Sequence, residues 1–574
     1  MTVISLALVI ITTAVPVAGK IHPATRELGL RDNGHIHAWV FFSHKPRGLA
    51  RSAVAHRASD KALERRRLRG NVPEEQVEDL DRTVSPGFLQ EVQNTGATIR
   101  QVSRWLNAVS VSATRRQLEL LTQLSFVSRI EPVRRVVRPP LLAATPFDSP
   151  PTMLKSNTHL LDYGPAYNQL AQMNVPAVHE MGYSGKDIIV LMLDTGFYQD
   201  HESIQPGRIL AEYDFLYGDG ETQNETAAED SSGQHNHGTH TYTALGGYSP
   251  GQLIGPAYQC NFLLAKTESA REEFQGEEDN YVAGLEWGEA LGADIVSSSL
   301  GYVNWYTYED LNGLTAVTTR AVLWAARLGM LVVTAAGNRR QDLTWGGYII
   351  APADADSIIA VGAVDENGTL TSFSSHGPTA DGRTKPDVVA QGVNVRCGSP
   401  MAANAYTSAN GTSLSTPLVV GCAALLLEAH PDWQPEDVRN ALRATASRVD
   451  RPDYDYGYGL INVLEAMNYY GRKPSSQHII GIGNIYPNPF PAGNKAFMLI
   501  PLQVPAENPV SLDMVNILGR HVAHLYRRNA YGSKPPFAVW DGFDDQGFRV
   551  PSGLYFVKLS AGSETIARKI IVRH

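Results

Sequence analysis

Three short stretches of the chain carry side chains that could do chemistry together. HNHGTH (235–240) places His235, His237 and His240 within six positions. Imidazole is the commonest protein metal ligand and also the usual proton carrier near neutral pH, so the cluster admits a metal site, a catalytic base or a polar loop. The helical zinc motif sets a glutamate directly after its first histidine, whereas Gly238 and Thr239 fill the gap between His237 and His240. A metalloprotease built here would lose activity to chelators and ignore serine reagents. DTG (194–196) follows an apolar run, and its carboxylate needs a partner if buried, for which a histidine is apt. The same triplet also serves aspartic proteases and plain turns. GTSLSTP (411–417) opens an apolar helical run with Pro417 in its first turn, which puts Ser413 at a helix N-terminus. Backbone N–H groups there favour developing negative charge, although a serine also serves simply as a cap. Asn338, just past MLVVTAA, can donate its amide to an oxyanion or close a turn.

The elements that must hold these residues show in the hydrophobic pattern. IIVLML (188–193), ADIVSSS (293–299), MLVVTAA (330–336) and SIIAVGAV (357–364) read as buried strands separated by amphipathic helices. That alternation predicts a doubly wound α/β domain over 141–470, with a mostly parallel sheet and helices on both faces. Such sheets place their sites beyond the carboxyl ends of the strands, where Asp194 and Asn338 fall. Leu314, Val317, Ala321, Trp324 and Leu328 share one helical face before the third strand. Upstream, HAWVFF (37–42), the alternation through Val109 and Val111, a Thr114/Gln117 capping box leading Leu118, Leu121 and Leu124, and FVSRI (126–130) predict a small α+β module over 20–140. Its half-buried strand turns Ser110 and Ser112 to the polar side, and RRVVRPP (134–140) reads as a linker. Downstream of GRKPSSQ, in a linker over 471–480, VSLDM, YFVKL and ARKIIV alternate with period two, and AGSE (561–564) reads as a hairpin turn. An all-β sandwich is expected over 481–574.

A chain of 574 residues with 43% hydrophobic and 19% charged residues is globular and large enough for several domains. A net charge of −9 argues against nucleic acid as a partner. The charge is uneven: residues 20–140 hold 21 basic and 12 acidic side chains, a balance of +9, so the remainder carries −18. The module could therefore be held to the rest partly by charge. Three cysteines are too few for a disulfide scaffold, and Cys422, inside VVGCAALLL, reads as a buried small residue. Residues 1–19 form an apolar run ending in small residues, as in a secretory signal peptide; a short anchor is the alternative. EEFQGEEDN (272–280) reads as a solvated loop, with cation or basic side-chain binding as the alternative.

Asp194, His237 and Ser413 occur in the order Asp, His, Ser, one of the chain orders of the serine-protease triad. With DTGF (194–197), HGTH (237–240), SSSLG (297–301), AAGN (335–338) and GTSLSTP, and with GPAYQCNFLLAK, IAVGAVD and FSSHGP in support, the chain resembles the subtilases, the subtilisin-like serine proteases. The resemblance implies a secreted endopeptidase with a nucleophilic Ser413, His237 as base, Asp194 orienting it, Asn338 in the oxyanion hole, and Ser299, Leu300 and Gly301 pairing with substrate backbone. His240 then becomes a packed histidine and His235 a loop residue near the cleft. The 20–140 module resembles the subtilase propeptide. Leu414 stands where many relatives carry methionine, which implies lower sensitivity to peroxide. Catalysis needs no cofactor, and structural calcium has no assigned site because Asp200 and Glu202 are displaced from the family's usual position. YPNPF (486–490), VWDGFDDQG (539–547) and SGLYFVKL (552–559) make the last domain similar to a type IX secretion sorting domain; an accessory sandwich that binds substrate or cell wall is the alternative. Expected partners are polypeptide substrates, the chain's own propeptide and the secretion machinery, with the protein a monomer. A catalytically silent surface-binding protein on the same scaffold is the competing reading, against which stands the occupation of every catalytic position.

Overall fold

The computed structural model describes residues 20, 34–45, 58–133, 159–270, 276–303 and 306–469, and then 481–482, 485, 488–491, 498–503, 510–528, 537–561 and 564–573. The apolar segment 1–19, RRVVRPP, GRKPSSQ and the first two residues of YPNPF lie outside the described residues. The chain divides into two compact units, one ending at Tyr469 and the other starting at Tyr470.

Seven parallel strands form the central sheet of the first unit, in the order Val388–Gln391, Ile359–Val364, Leu331–Ala335, Ile295–Ser298, Ile189–Asp194, Asn261–Lys266 and Ile209–Asp214. Strand Ile189–Asp194 comes first in the chain and lies inside the sheet. Later strands are laid to one side of it and then to the other, so its carboxyl end is a topological switch point. Its side chains divide between two cores. Val190 and Met192 join the core that includes the helix Thr412–Ala429, whereas Leu191 and Leu193 join the one that includes helices Glu277–Leu291 and Val317–Arg327. Burial on both faces explains the unbroken apolar runs. Leu314 departs from expectation: the helix starts at Val317, and Leu314 is exposed in a turn where Asn312 Oδ1 accepts from the backbone N–H groups of Leu314 and Thr315. Local side-chain bonding to the backbone outcompetes another helical turn there.

Residues 34–133 form an antiparallel sheet in the order Thr98–Ser103, Ala108–Ala113, Ile36–Phe42, Val127–Pro132. Ala38 and Val40 face the module's own core, while Trp39, Phe41 and Trp105 join the core beneath helices Glu277–Leu291 and Val317–Arg327. This docking overturns two expectations. Ser110 is buried and donates to Asp279, so its strand is covered on both faces. Within the acidic stretch, Glu277, Glu278 and Asp279 open a helix and are buried, with Arg100 Nε 3.1 Å from Asp279 Oδ2; a solvated loop is wrong for these residues. The helix Asp60–Arg69 supplies further cations: Arg65 pairs with Glu289, Arg66 Nη2 lies 2.7 Å from Glu289 Oε2, and Arg69 Nη1 lies 2.9 Å from Asp294 Oδ1. Part of the sequence's charge asymmetry thus meets across this interface.

The second unit has a sheet of three strands, Gly481–Ile482, Met498–Gln503 and Phe537–Trp540, and one of five, ordered Phe490–Pro491, Glu564–Arg573, Gly553–Ala561, Val510–Asn516, His521–Arg528. Both contribute to one core, through Ile500 and Trp540 on one side and Leu512, Val557 and Ile570 on the other. Cys260, Cys397 and Cys422 are all buried free thiols.

Buried His179 makes the first unit acid-sensitive. Its ring nitrogens are taken by the Tyr163 hydroxyl and the Pro256 carbonyl, each at 2.8 Å, and burial lowers its pKa to about 4. The unfolded state therefore binds more protons between pH 6.5 and 4, so this stability is complete above the upper value and is lost as pH falls toward the lower. At pH 4.5 the loss is roughly 2–3 kcal/mol. Urea unfolding of an inactive Ser413→Ala chain should show it, and His179→Gln should remove that share; equal acid sensitivity in the two chains would count against it.

Candidate active site

Strand Ile189–Asp194 ends by delivering Asp194, only 1% exposed, to the carboxyl edge of the sheet. Oδ1 accepts from the Thr195 N–H at 2.8 Å and lies 2.6 Å from His237 Nδ1, and Oδ2 accepts from Thr241 Oγ1 at 2.9 Å. Burial alone would raise a carboxyl pKa, but the His237 imidazole and these hydrogen bonds outweigh it and hold Asp194 below its ordinary value. Asp194 is thus a fixed anion that engages Nδ1 and leaves Nε2 as the ring nitrogen for proton exchange.

His237 is the second residue of helix Asn236–Gly246, which closes tightly on the DTG loop. A Cβ at Gly238 would stand 2.1 Å from the Gly196 carbonyl oxygen, so only glycine permits the approach. Thr241 sits one helical turn beyond His237 and shares its face. His240 is held neutral by burial, with its pKa lowered to about 4. His235 precedes the helix, its Nδ1 accepting from the Asn224 N–H at 3.2 Å and its ring 5.4 Å from that of Tyr198. Among the described residues these three histidines do not form a three-donor metal cluster.

Ser413 is the second residue of helix Thr412–Ala429, which packs against the His237 helix. Gly411 precedes it with φ +146°, and a Cβ there would meet Ser413 Oγ at 2.8 Å and Asn338 Nδ2 at 3.3 Å. Hydroxyl and amide therefore border the same small space. Asn338 Oδ1 accepts from the Thr412 N–H at 2.9 Å and from its hydroxyl at 3.0 Å, which fixes the amide so that Nδ2 faces that space. Pro417 lies deeper than the expected first turn, as the sixth helical residue. Having no N–H, it gives the Ser413 carbonyl no intrahelical donor, and Ser299 Oγ donates to that carbonyl instead at 2.8 Å. The Ser299 side chain thus secures the serine helix.

The strand through SSSLG ends at Ser298, leaving 299–301 to run past the sheet edge with Leu300 buried. Ile350 crowds this segment: a Cβ on Gly301 would come within 2.3 Å of Ile350 Cδ1, and one on Gly337 within 3.0 Å. Of the displaced acidic pair, Glu202 accepts from the Tyr406 hydroxyl at 2.7 Å. Thr241 and Ile350 are contributors outside the quoted motifs, while Thr412 and Pro417 stand inside GTSLSTP with roles, bonding Asn338 and freeing the Ser413 carbonyl, that the motif itself does not give. Only Thr241, four residues from His237 on one helix, has a signal in local spacing.

Known sequences agree on the chemistry. Residues 185–459 match the Subtilase family, and residues 37–144 match the Peptidase S8 propeptide domain of Bacteroidota. Subtilisin DY of Bacillus licheniformis is 35% identical over 294 residues, which span 94% of that protein and 50% of this chain. Subtilisin Savinase of Lederbergia lenta is 32% identical over 298 residues, 97% of its length and 52% of this one. Serine protease AprX of Bacillus subtilis (strain 168) is 32% identical over 310 residues, covering 66% of it and 49% of this chain. The protein is a serine-type endopeptidase. It belongs to the subtilase family and carries a propeptide domain of the same peptidase class.

Proposed function

We propose that Ser413, His237 and Asp194 are the catalytic triad of an exported endopeptidase. The observation that carries the reading is the 2.6 Å contact of His237 with buried Asp194, taken with Ser413 Oγ and Asn338 Nδ2 bordering one space. His237 Nε2 removes the Ser413 proton as Oγ attacks the scissile carbonyl, then returns it to the leaving amine. Asp194 keeps the imidazole in the required tautomer and stabilises its protonated form. Water repeats the sequence on the acyl-enzyme. Asn338 Nδ2 donates to the oxyanion, so Asn338→Ala should lower kcat by about 10²–10³ with KM little changed, the size of effect known for the equivalent donor in subtilisin, a relative. An unchanged kcat would remove Asn338 from that role.

Substrate lies extended along Ser299, Leu300 and Gly301 as an added strand, which selects unfolded or flexible polypeptide. The side chain preceding the cleaved bond then enters between 299–301 and the Gly337 segment, where Ile350 leaves little depth. Alanine or serine is preferred there, and Ile350→Gly should raise kcat/KM for leucine or phenylalanine relative to alanine at least tenfold in a peptide series. An unaltered ratio would show that Ile350 does not limit this pocket.

The protein acts outside the cell as a monomer. The apolar segment 1–19 serves as its signal peptide, and the β-sandwich unit, with SGLYFVKL and VWDGFDDQG, addresses it to a type IX secretion machinery. The propeptide occupies the cleft until it is removed, and the triad works without a bound cofactor.

A further inference from the structure

The second unit carries a cluster of donors for which proteolysis has no use. Asp513 lies on strand Val510–Asn516, and His521 and His524 lie on its antiparallel neighbour His521–Arg528. Residues three apart on a regular strand point to opposite faces. Here the register slips twice: Asp513 pairs with His524, Met514 with Ala523, and Val515 with His521. The extra residue, Val522, restores the alternation so that both imidazoles project on the outer side with Asp513, while Met514 and Ala523 enter the core.

We propose that Asp513, His521 and His524 bind a divalent transition-metal ion of the zinc class. One donor atom from each lies within 4.8 Å of the other two. His524 Nδ1 is in contact with Asp513 Oδ1, and His521 Nε2 stands 3.6 Å from the same oxygen. That separation is too long for a hydrogen bond, but it is close to the roughly 3.4 Å edge between two donors of a tetrahedral zinc site with bonds of about 2.1 Å. The two rings are 4.5 Å apart at 63°, as imidazoles converging on one point rather than stacked. Asp513 takes this orientation although Lys558 is its cross-strand partner on the other side.

A fourth residue, a second carboxylate, completes the surroundings. Asp545 Oδ1 accepts from the His524 backbone N–H at 2.7 Å, and its Oδ2 lies 3.6 Å from His521 Nδ1, the ring nitrogen other than the one nearest Asp513. A carboxylate bonded to the far nitrogen is the usual means of orienting a ligating histidine, and Asp545 would take that part by closing about half an ångström on Nδ1. Two imidazoles and a carboxylate suit zinc better than the all-oxygen shells of calcium or magnesium. The His521 and His524 side chains remain 42% and 47% exposed, which leaves an ion access from solvent and a water room for the fourth position.

The test uses the full-length chain with Ser413→Ala to prevent self-digestion, stripped with chelator, desalted and titrated with Zn²⁺ against a chromophoric chelator. One equivalent should bind, the double variant H521A/H524A should lose it, and Asp513→Asn should weaken it at least tenfold. Cobalt(II) should give visible four-coordinate absorption in the parent and none in the double variant. Independently of any variant at the cluster, zinc should protect His521 and His524 of the parent from diethylpyrocarbonate, read by peptide mass spectrometry. No zinc uptake by the parent, equal uptake by the double variant, or unprotected His521 and His524 would each overturn the site.

Discussion

His237→Ala should lower kcat by about 10⁶, the size of loss found when the base is removed from subtilisin, a relative. The substitution deletes the proposed base while leaving Asp194 with Thr195 and Thr241 as partners. Asp194 loses the imidazole that helps hold its pKa down, so the carboxyl should be more readily protonated, but its remaining hydrogen bonds keep it from being stranded. The variant should therefore fold, persist as the full-length chain and show the circular dichroism of the equally unprocessed Ser413→Ala chain. A variant within tenfold of the parent's kcat would place the base elsewhere.

Glu289→Ala should weaken docking of the propeptide by roughly 3–5 kcal/mol, which is about 150- to 4000-fold in its inhibition constant. The carboxylate is fully buried and serves Arg65 and Arg66 together, with Arg104 Nη2 at 3.4 Å. Arg65 is itself wholly buried, and without Glu289 its guanidinium would be left with carbonyls such as Ala293 O at 2.5 Å and the charge of Asp294, which already serves Arg69. The price is thus that of an uncompensated buried charge, far above the value of a surface ion pair. Glu289 lies near the end of the helix that leads to the amino end of strand Ile295–Ser298, on the sheet edge opposite Asp194. Peptide turnover by the processed enzyme should accordingly stay unchanged while the inhibition constant of added propeptide rises. Equal inhibition of parent and variant would mean that the ion pairs contribute nothing to docking.

What the sequence discloses divides along physical lines. Asp194, His237, Asn338 and Ser413 stand out because each lies at a strand end or helix start, where local pattern and chemical role coincide. The four buried strands are legible for the same reason: burial on both faces leaves unbroken apolar runs. Ser110 and the Glu277–Asp279 segment mislead, because a polar residue reads as solvated until its distant cover is known. Arg100 and the propeptide sheet supply that cover from more than 160 residues away in the case of Asp279. Gly238 and Ile350 act through close approaches between segments that no periodicity encodes. His521 and His524 carry no signal in the sequence pattern: three apart, they would face opposite ways on a regular strand, and the slip at Val522 turns them together.

Labelling by a fluorophosphonate, mapped by peptide mass spectrometry, addresses the proposed nucleophile most directly. Processed wild-type protein should carry a single adduct on Ser413, and the His237→Ala chain should carry none. A folded, processed protein that takes no adduct, or takes it on another serine, would contradict the assignment of Ser413.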